Sequence, residues 1–132
     1  MHWKLVVAVH LSLLFSLLFA ASKSEVNDYN GSVHNLNSGL VYSSIQAAIE
    51  ASETEIGDTI LVGSGIYHEN IVLAKSVRLF GENRSNTVIL ANKTGNTVTI
   101  RASNCEIKGF SIRGGMSGVS LSNVDNCTVG DN

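Results

Sequence analysis

Two cysteines stand 22 residues apart in matching surroundings, Asn104-Cys105-Glu106-Ile107 and Asn126-Cys127-Thr128-Val129. Two thiols can neither build a four-thiolate zinc site nor staple a miniprotein. His34 and His68 show no H-x-H or H-x-x-x-H spacing and lie away from the thiols, so no donor set for a first-row metal is present and no cofactor is expected. Tyr67 and Glu69, two apart on an extended segment, share a face. A carboxylate there could act as a base, but bonding backbone N–H groups to fix a loop is its commoner use. The acidic run Glu50, Glu53, Glu55 and Asp58 reads as a solvated helix face. The later charges, Arg101, Glu106, Lys108, Arg113, Asp125 and Asp131, include no Asp-Asp pair and no Asp-x-Asp. There is no Gly-x-Ser-x-Gly and no P-loop, so no catalytic residue is assigned and the balance leans away from an enzyme.

Four N-x-S/T sequons offer asparagines for glycosylation: Asn30, Asn83, Asn92 and Asn126. They fit a chain that leaves the cytoplasm. Residues 1–22 read as a signal peptide, with Lys4 ahead of an apolar run from Leu5 to Ala21 and small residues at Ala20, Ala21 and Ser22. Secretion or cell-surface display is expected, or the periplasm in a Gram-negative host. An uncleaved leader would instead serve as an N-terminal anchor. The chain of 132 residues carries 9 Lys+Arg against 11 Asp+Glu, and its net charge of −2 gives nucleic acid no basic surface to bind. Only 15% of residues are charged, against about 25% in an ordinary soluble domain.

The elements that must position these residues come next. Residues 23–40 are polar, with no sustained period, and read as a loosely held lead-in. Ile45, Ala48 and Ile49 follow helical spacing, and Ser43 with Gln46 would form a capping box, so an amphipathic helix is expected over 43–53. After Asp58 the pattern changes to β-runs of a few residues each. These cover 59–62, 71–73, 77–80, 87–90, 97–101, 106–108, 110–113, 119–121 and 128–129, with His68 in a loop. Val98 and Ile100 face one way, and Thr97, Thr99 and Arg101 the other. Phe80 and Phe110 are expected in the core.

An internal repeat selects the architecture. The Asn-Cys unit recurs after 22 residues, and Val98-Thr99-Ile100 recurs as Val119-Ser120-Leu121 after 21. Such a period holding several short strands indicates a solenoid, each repeat being one coil. Asn104 and Asn126 would stack at a turn with their amides bonded along the ladder. A sandwich is the competitor, but no Asn-Gly or Asp-Gly hairpin turn falls within the strand region.

Residues 42–49, Gly57-Asp-Thr-Ile-Leu-Val62, Gly65-Ile-Tyr-His-Glu-Asn-Ile71 and Lys75-Ser-Val-Arg-Leu-Phe-Gly-Glu82 resemble the start of a right-handed parallel β-helix of the pectin lyase-like superfamily. The Asn-Cys repeats resemble its NosD-like branch and archaeal and bacterial surface proteins. The resemblance covers roughly residues 41–132 and implies an all-β fold of about three to four coils. It also implies that the amphipathic helix caps the first coil. For function it implies little, because the superfamily holds lyases, hydrolases, esterases and plain surface proteins.

The reading favoured here is a non-catalytic secreted or surface module that displays itself or binds a polysaccharide or cell-envelope glycan weakly through Thr99, Arg101, Ser111, Arg113 and Ser120. One alternative is the N-terminal part of a carbohydrate-active enzyme: a polysaccharide lyase, hydrolase or pectin esterase. Another is a NosD-like periplasmic copper-maturation protein, although no residue here carries that role. Cys105 and Cys127 would either stack as two small buried thiols or, in a secreted chain, form a disulfide. Gly130-Asp131-Asn132 stops partway into a coil, so a truncated β-helix that self-associates through its open last coil is expected.

Overall fold

The computed structural model describes residues 31–132. The expected signal peptide, the first part of the lead-in and Asn30 lie outside the described residues. Among the described residues, twelve strands and one helix follow in chain order: β1 (Val33–Asn35), β2 (Val41–Tyr42), α1 (Ile45–Glu50), β3 (Thr59–Val62), β4 (Gly65–His68), β5 (Ile71–Leu73), β6 (Arg78–Gly81), β7 (Thr87–Leu90), β8 (Val98–Ile100), β9 (Glu106–Lys108), β10 (Ser111–Arg113), β11 (Val119–Leu121) and β12 (Thr128–Gly130). From β3 onward the chain winds as a β-solenoid of about three turns. Strands β3, β6, β9 and β12 stack in parallel on one side, β4, β7 and β10 on a second, and β5, β8 and β11 on a third.

The registers show how the repeat works. Val98, Thr99 and Ile100 lie against Val119, Ser120 and Leu121, as their spacing predicts. Coil length varies elsewhere: Ile60 pairs with Leu79, Leu79 with Ile107, and Ile107 with Val129, steps of 19, 28 and 22 residues. Only the strand triplets must align to pair their main chains, so the corners absorb insertions. That is why the period is legible only in the later coils.

Alternate strand residues point inward and fill the tube. Ile60, Val62, Ile71, Leu73, Leu79, Ile89, Val98, Ile100 and Ile107 are all essentially inaccessible to solvent. Stacking each residue on its equivalent one strand spacing away, about 4.8 Å, builds one continuous apolar core. Gly81 and Gly109 make one close approach possible: a Cβ on Gly81 would fall on the Gly109 carbonyl oxygen.

Several expectations are corrected. The lead-in is not loose throughout, since Val33 and Asn35 are buried and β1 pairs antiparallel with β3 and β2. Gly65–His68 is a strand, which places His68 on an outward position of β4 rather than in a loop. Phe80 also faces outward, half-buried, with the Lys108 ammonium 4.3 Å from its ring centroid. Thr97 is buried at the corner before β8, where its hydroxyl donates to the Arg113 carbonyl at 3.1 Å. The helix is shorter than 43–53, and its N-cap is Ser44, whose Oγ accepts from Ala47 N at 3.1 Å. Gln46 is engaged elsewhere, as described next.

Candidate functional site

Helix α1 is fastened to the first coil through the residues flanking β5. The Glu69 carboxylate accepts from Ile45 N at 2.9 Å and Gln46 N at 3.0 Å, at the helix end where free N–H groups and the dipole favour an anion. Lys75 donates to the carbonyls of Ala51 and Thr54 at 2.9 and 2.6 Å, just past the other end of the helix. Between them, Gln46 behaves like a neighbouring strand: its Oε1 accepts from Val72 N at 2.8 Å and its Nε2 donates to Val72 O at 3.2 Å. Glu69 therefore bonds the two backbone N–H groups at the start of the helix. Tyr67 is buried, and its hydroxyl donates to Gly63 O at 2.9 Å. Burial pushes its phenol above the ordinary tyrosine value, with Glu69 and Glu82 adding to the effect.

The acidic run divides. Glu50, Glu53 and Glu55 are exposed, but Asp58 is buried and accepts from Asn35 Nδ2 at 2.9 Å and Glu55 N at 3.0 Å. Asn35 also donates to Thr54 Oγ1 at 3.0 Å, and Thr54 in turn donates to Ala48 O at 2.6 Å. This buried network ties β1 to the end of the helix. Beside it, Asn37, Ser38, Glu53, Glu55 and Asp58 line an open hollow of about 240 Å³. Among the described residues no three His, Cys, Asp or Glu side chains gather into a metal-holding group.

At the other end, the Asn-Cys repeats form a turn ladder. Asn104 and Asn126 hold left-handed φ angles of 60° and 54°, which asparagine tolerates better than most residues. Asn126 Nδ2 donates to Asn104 Oδ1 at 2.8 Å, the amide stacking that the repeat predicts. Cys105 is buried and Cys127 half-buried, both as free thiols. Glu106 lies against Thr128 in the ladder and pairs with Lys108 at 3.2 Å, without a second carboxylate beside it in that ladder.

The five glycan-contact candidates fall on two faces. Thr99 and Ser120 are ladder neighbours on the β5–β8–β11 side, with exposed Arg101 just past β8. Ser111 and Arg113 lie on β10, joined by an Arg113 Nε to Ser111 Oγ bond of 2.7 Å. Their ladder neighbours Val88 and Leu90 make that face partly apolar.

Asn83, Asn92 and Asn126 are all exposed. At Asn83 the engaged atom is Oδ1, which accepts from Ser85 N at 2.9 Å, so the nitrogen that would carry a glycan is not the bonded one. Asn92 Nδ2 donates to His68 O at 2.7 Å, and Asn126 Nδ2 is committed to Asn104. Sequence reasoning could rank none of these. It also missed the Gln46 and Asn35 contacts, whose partners lie 26 and 23 residues away.

Fold and site together define a β-solenoid whose outer ladders are polar on one side and partly apolar on another. A cell surface glycoprotein of Methanothermus fervidus is similar to it, 38% identical over 121 residues. The match takes in 92% of this chain and 20% of the relative, so the chain spans about a fifth of that protein's length. No family model matches the chain, and no solved structure does. No helix among the described residues is long and apolar enough to cross a membrane.

Proposed function

We propose that this chain is a non-catalytic module of a cell-surface glycoprotein, displayed outside the cell and carrying N-linked glycans. The observation that carries this reading is the similarity to the Methanothermus fervidus cell surface glycoprotein along 92% of the chain. The leader-like residues 1–22 and the sequons on exposed loops support it. In this reading the coil is right-handed and related to the pectin lyase-like superfamily, α1 closes the first coil, and the last coil associates with another copy. Asn83 is glycosylated ahead of Asn92 and Asn126, because its side-chain nitrogen is the one not engaged in the structure. Thr99, Arg101 and Ser120 supply weak polyhydroxyl contacts, and Ser111 with Arg113 forms a separate, less polar patch.

The test is expression of the chain with its leader in a host able to N-glycosylate, followed by protease shaving of intact cells and glycopeptide mapping. Surface-accessible chain with glycan at Asn83 is expected. Retention inside the cell without glycan would overturn the reading. Release of unsaturated product from polygalacturonate by the purified chain would overturn its non-catalytic part.

A further inference from the structure

We propose that Cys105 and Cys127 are a cross-coil disulfide site that fastens β12 to the coil before it. The two residues immediately precede β9 and β12, and Glu106 lies against Thr128 in the adjoining ladder position. Main-chain bonds hold the backbone on either side, Asn104 N to Asp125 O at 3.0 Å and Thr128 N to Cys105 O at 2.9 Å. In-register neighbours of a parallel ladder stand about 4.8 Å apart, inside the Cα separation that a disulfide spans.

The thiols point along the stack rather than out of it. Cys127 Sγ donates to Ala102 O at 3.4 Å, so it leans toward the coil that carries Cys105. Cys105 Sγ leans the same way, toward Lys75 O at 3.5 Å. Closure therefore requires the Cys105 side chain to turn away from that weak bond and toward Cys127. Burial raises the Cys105 thiol above its ordinary value, a hydrogen bond from the Val77 backbone opposes this, and the neighbouring Cys127 adds to the rise.

The accessible Cys127 reacts first. Its thiolate attacks one sulfur of a low-molecular-weight disulfide, forming a mixed disulfide and releasing one thiolate; the Cys105 thiolate then displaces the second. The cysteines lose two protons and two electrons, and the reagent gains both and leaves as two thiols. The surface reading of the protein bears only on where such an oxidant is met, since closure itself follows from the fold.

The test treats the purified full chain with oxidised glutathione. Loss of both thiols, a mass lower by two hydrogens and a linked Cys105–Cys127 peptide are expected. Closing a loop of this length should raise Tm by on the order of 10 °C relative to the reduced chain. The same treatment should leave Tm unchanged in C127S. Glutathione retained on Cys127 with Cys105 still free, or covalent dimers on a non-reducing gel, would overturn the proposal. So would a linked chain whose Tm does not rise. None of these outcomes depends on cellular location, so a failure here leaves the surface reading standing.

Discussion

At the first coil, Gln46 bonds both main-chain groups of Val72, Glu69 and Lys75 hold the two ends of α1, and Val33, Ile45 and Ile49 are fully covered. At the last coil the inward ladder continues with the same residue types, yet Leu121 and Val129 are 49% and 42% exposed. Side chains there add shorter-reaching contacts: the Asn104–Asn126 amide bond, Ser103 Oγ accepting from Asp125 N, and Asn132 Oδ1 accepting from Phe110 N. A stacked coil therefore owes its burial to its neighbours more than to its own residues. In a solenoid, where each coil touches only the adjacent ones, stability should be graded along the axis.

Ile100 and Leu121 offer the sharpest way to break that comparison, because they are ladder partners one coil apart. Ile100→Ala, at a fully buried position, should cost about 2–5 kcal/mol in urea denaturation. Leu121→Ala should cost under about 1 kcal/mol, since half of its surface is already in water. Equal losses would show that the two positions are buried alike in solution. Gly81→Ala is expected to cost at least about 2 kcal/mol by the same measurement, because its new Cβ meets backbone rather than a side chain that can swing away.

Glu69→Gln should lose about 1–2 kcal/mol, as two charge-assisted bonds to the helix N-terminus weaken. Hydrogen exchange should speed up at Ile45 and Gln46 first, and uniform exchange along the chain would contradict a local role. The smallest effects compare the two polar devices. Gln46→Ala should cost about 1 kcal/mol and unprotect the Val72 amide. Asn126→Ala should cost about 1 kcal/mol through left-handed strain, whereas Asn126→Gly should recover most of it. Loss of the same size in both Asn126 variants would mean that the amide bond, not the backbone angle, holds the turn.

Much of the coil was legible because inward stacking imposes period-two alternation on every strand. Val98, Ile100 and Ile107 announced themselves that way, and the repeated Asn-Cys unit announced the register. Gly65–His68 escaped because its outward Ile66 is exposed and its two inward positions are a glycine and Tyr67, which leaves no clean apolar alternation to read. Phe80 was misplaced in the core because an aromatic under a lysine looks, in one dimension, like any buried aromatic. Asp58 was placed with the solvated acids because nothing near it in sequence reveals Asn35 as its partner. Among the candidate site residues, the pairing of Thr99 with Ser120 follows from the repeat. Their separation from Ser111 and Arg113 does not, since it depends on where the chain turns a corner.

By itself, then, the amino-acid sequence determined that the chain is a stack of short β-runs with asparagines at its turns, because that stacking demands the same residue types at each level. Tertiary structure alone decided which polar groups meet across coils of unequal length: Glu69 with the helix, Gln46 with β5, and Asn35 with Asp58. Those contacts join positions 23 to 26 residues apart, and only the closed coil brings such distant positions within the roughly three ångströms over which a hydrogen bond acts.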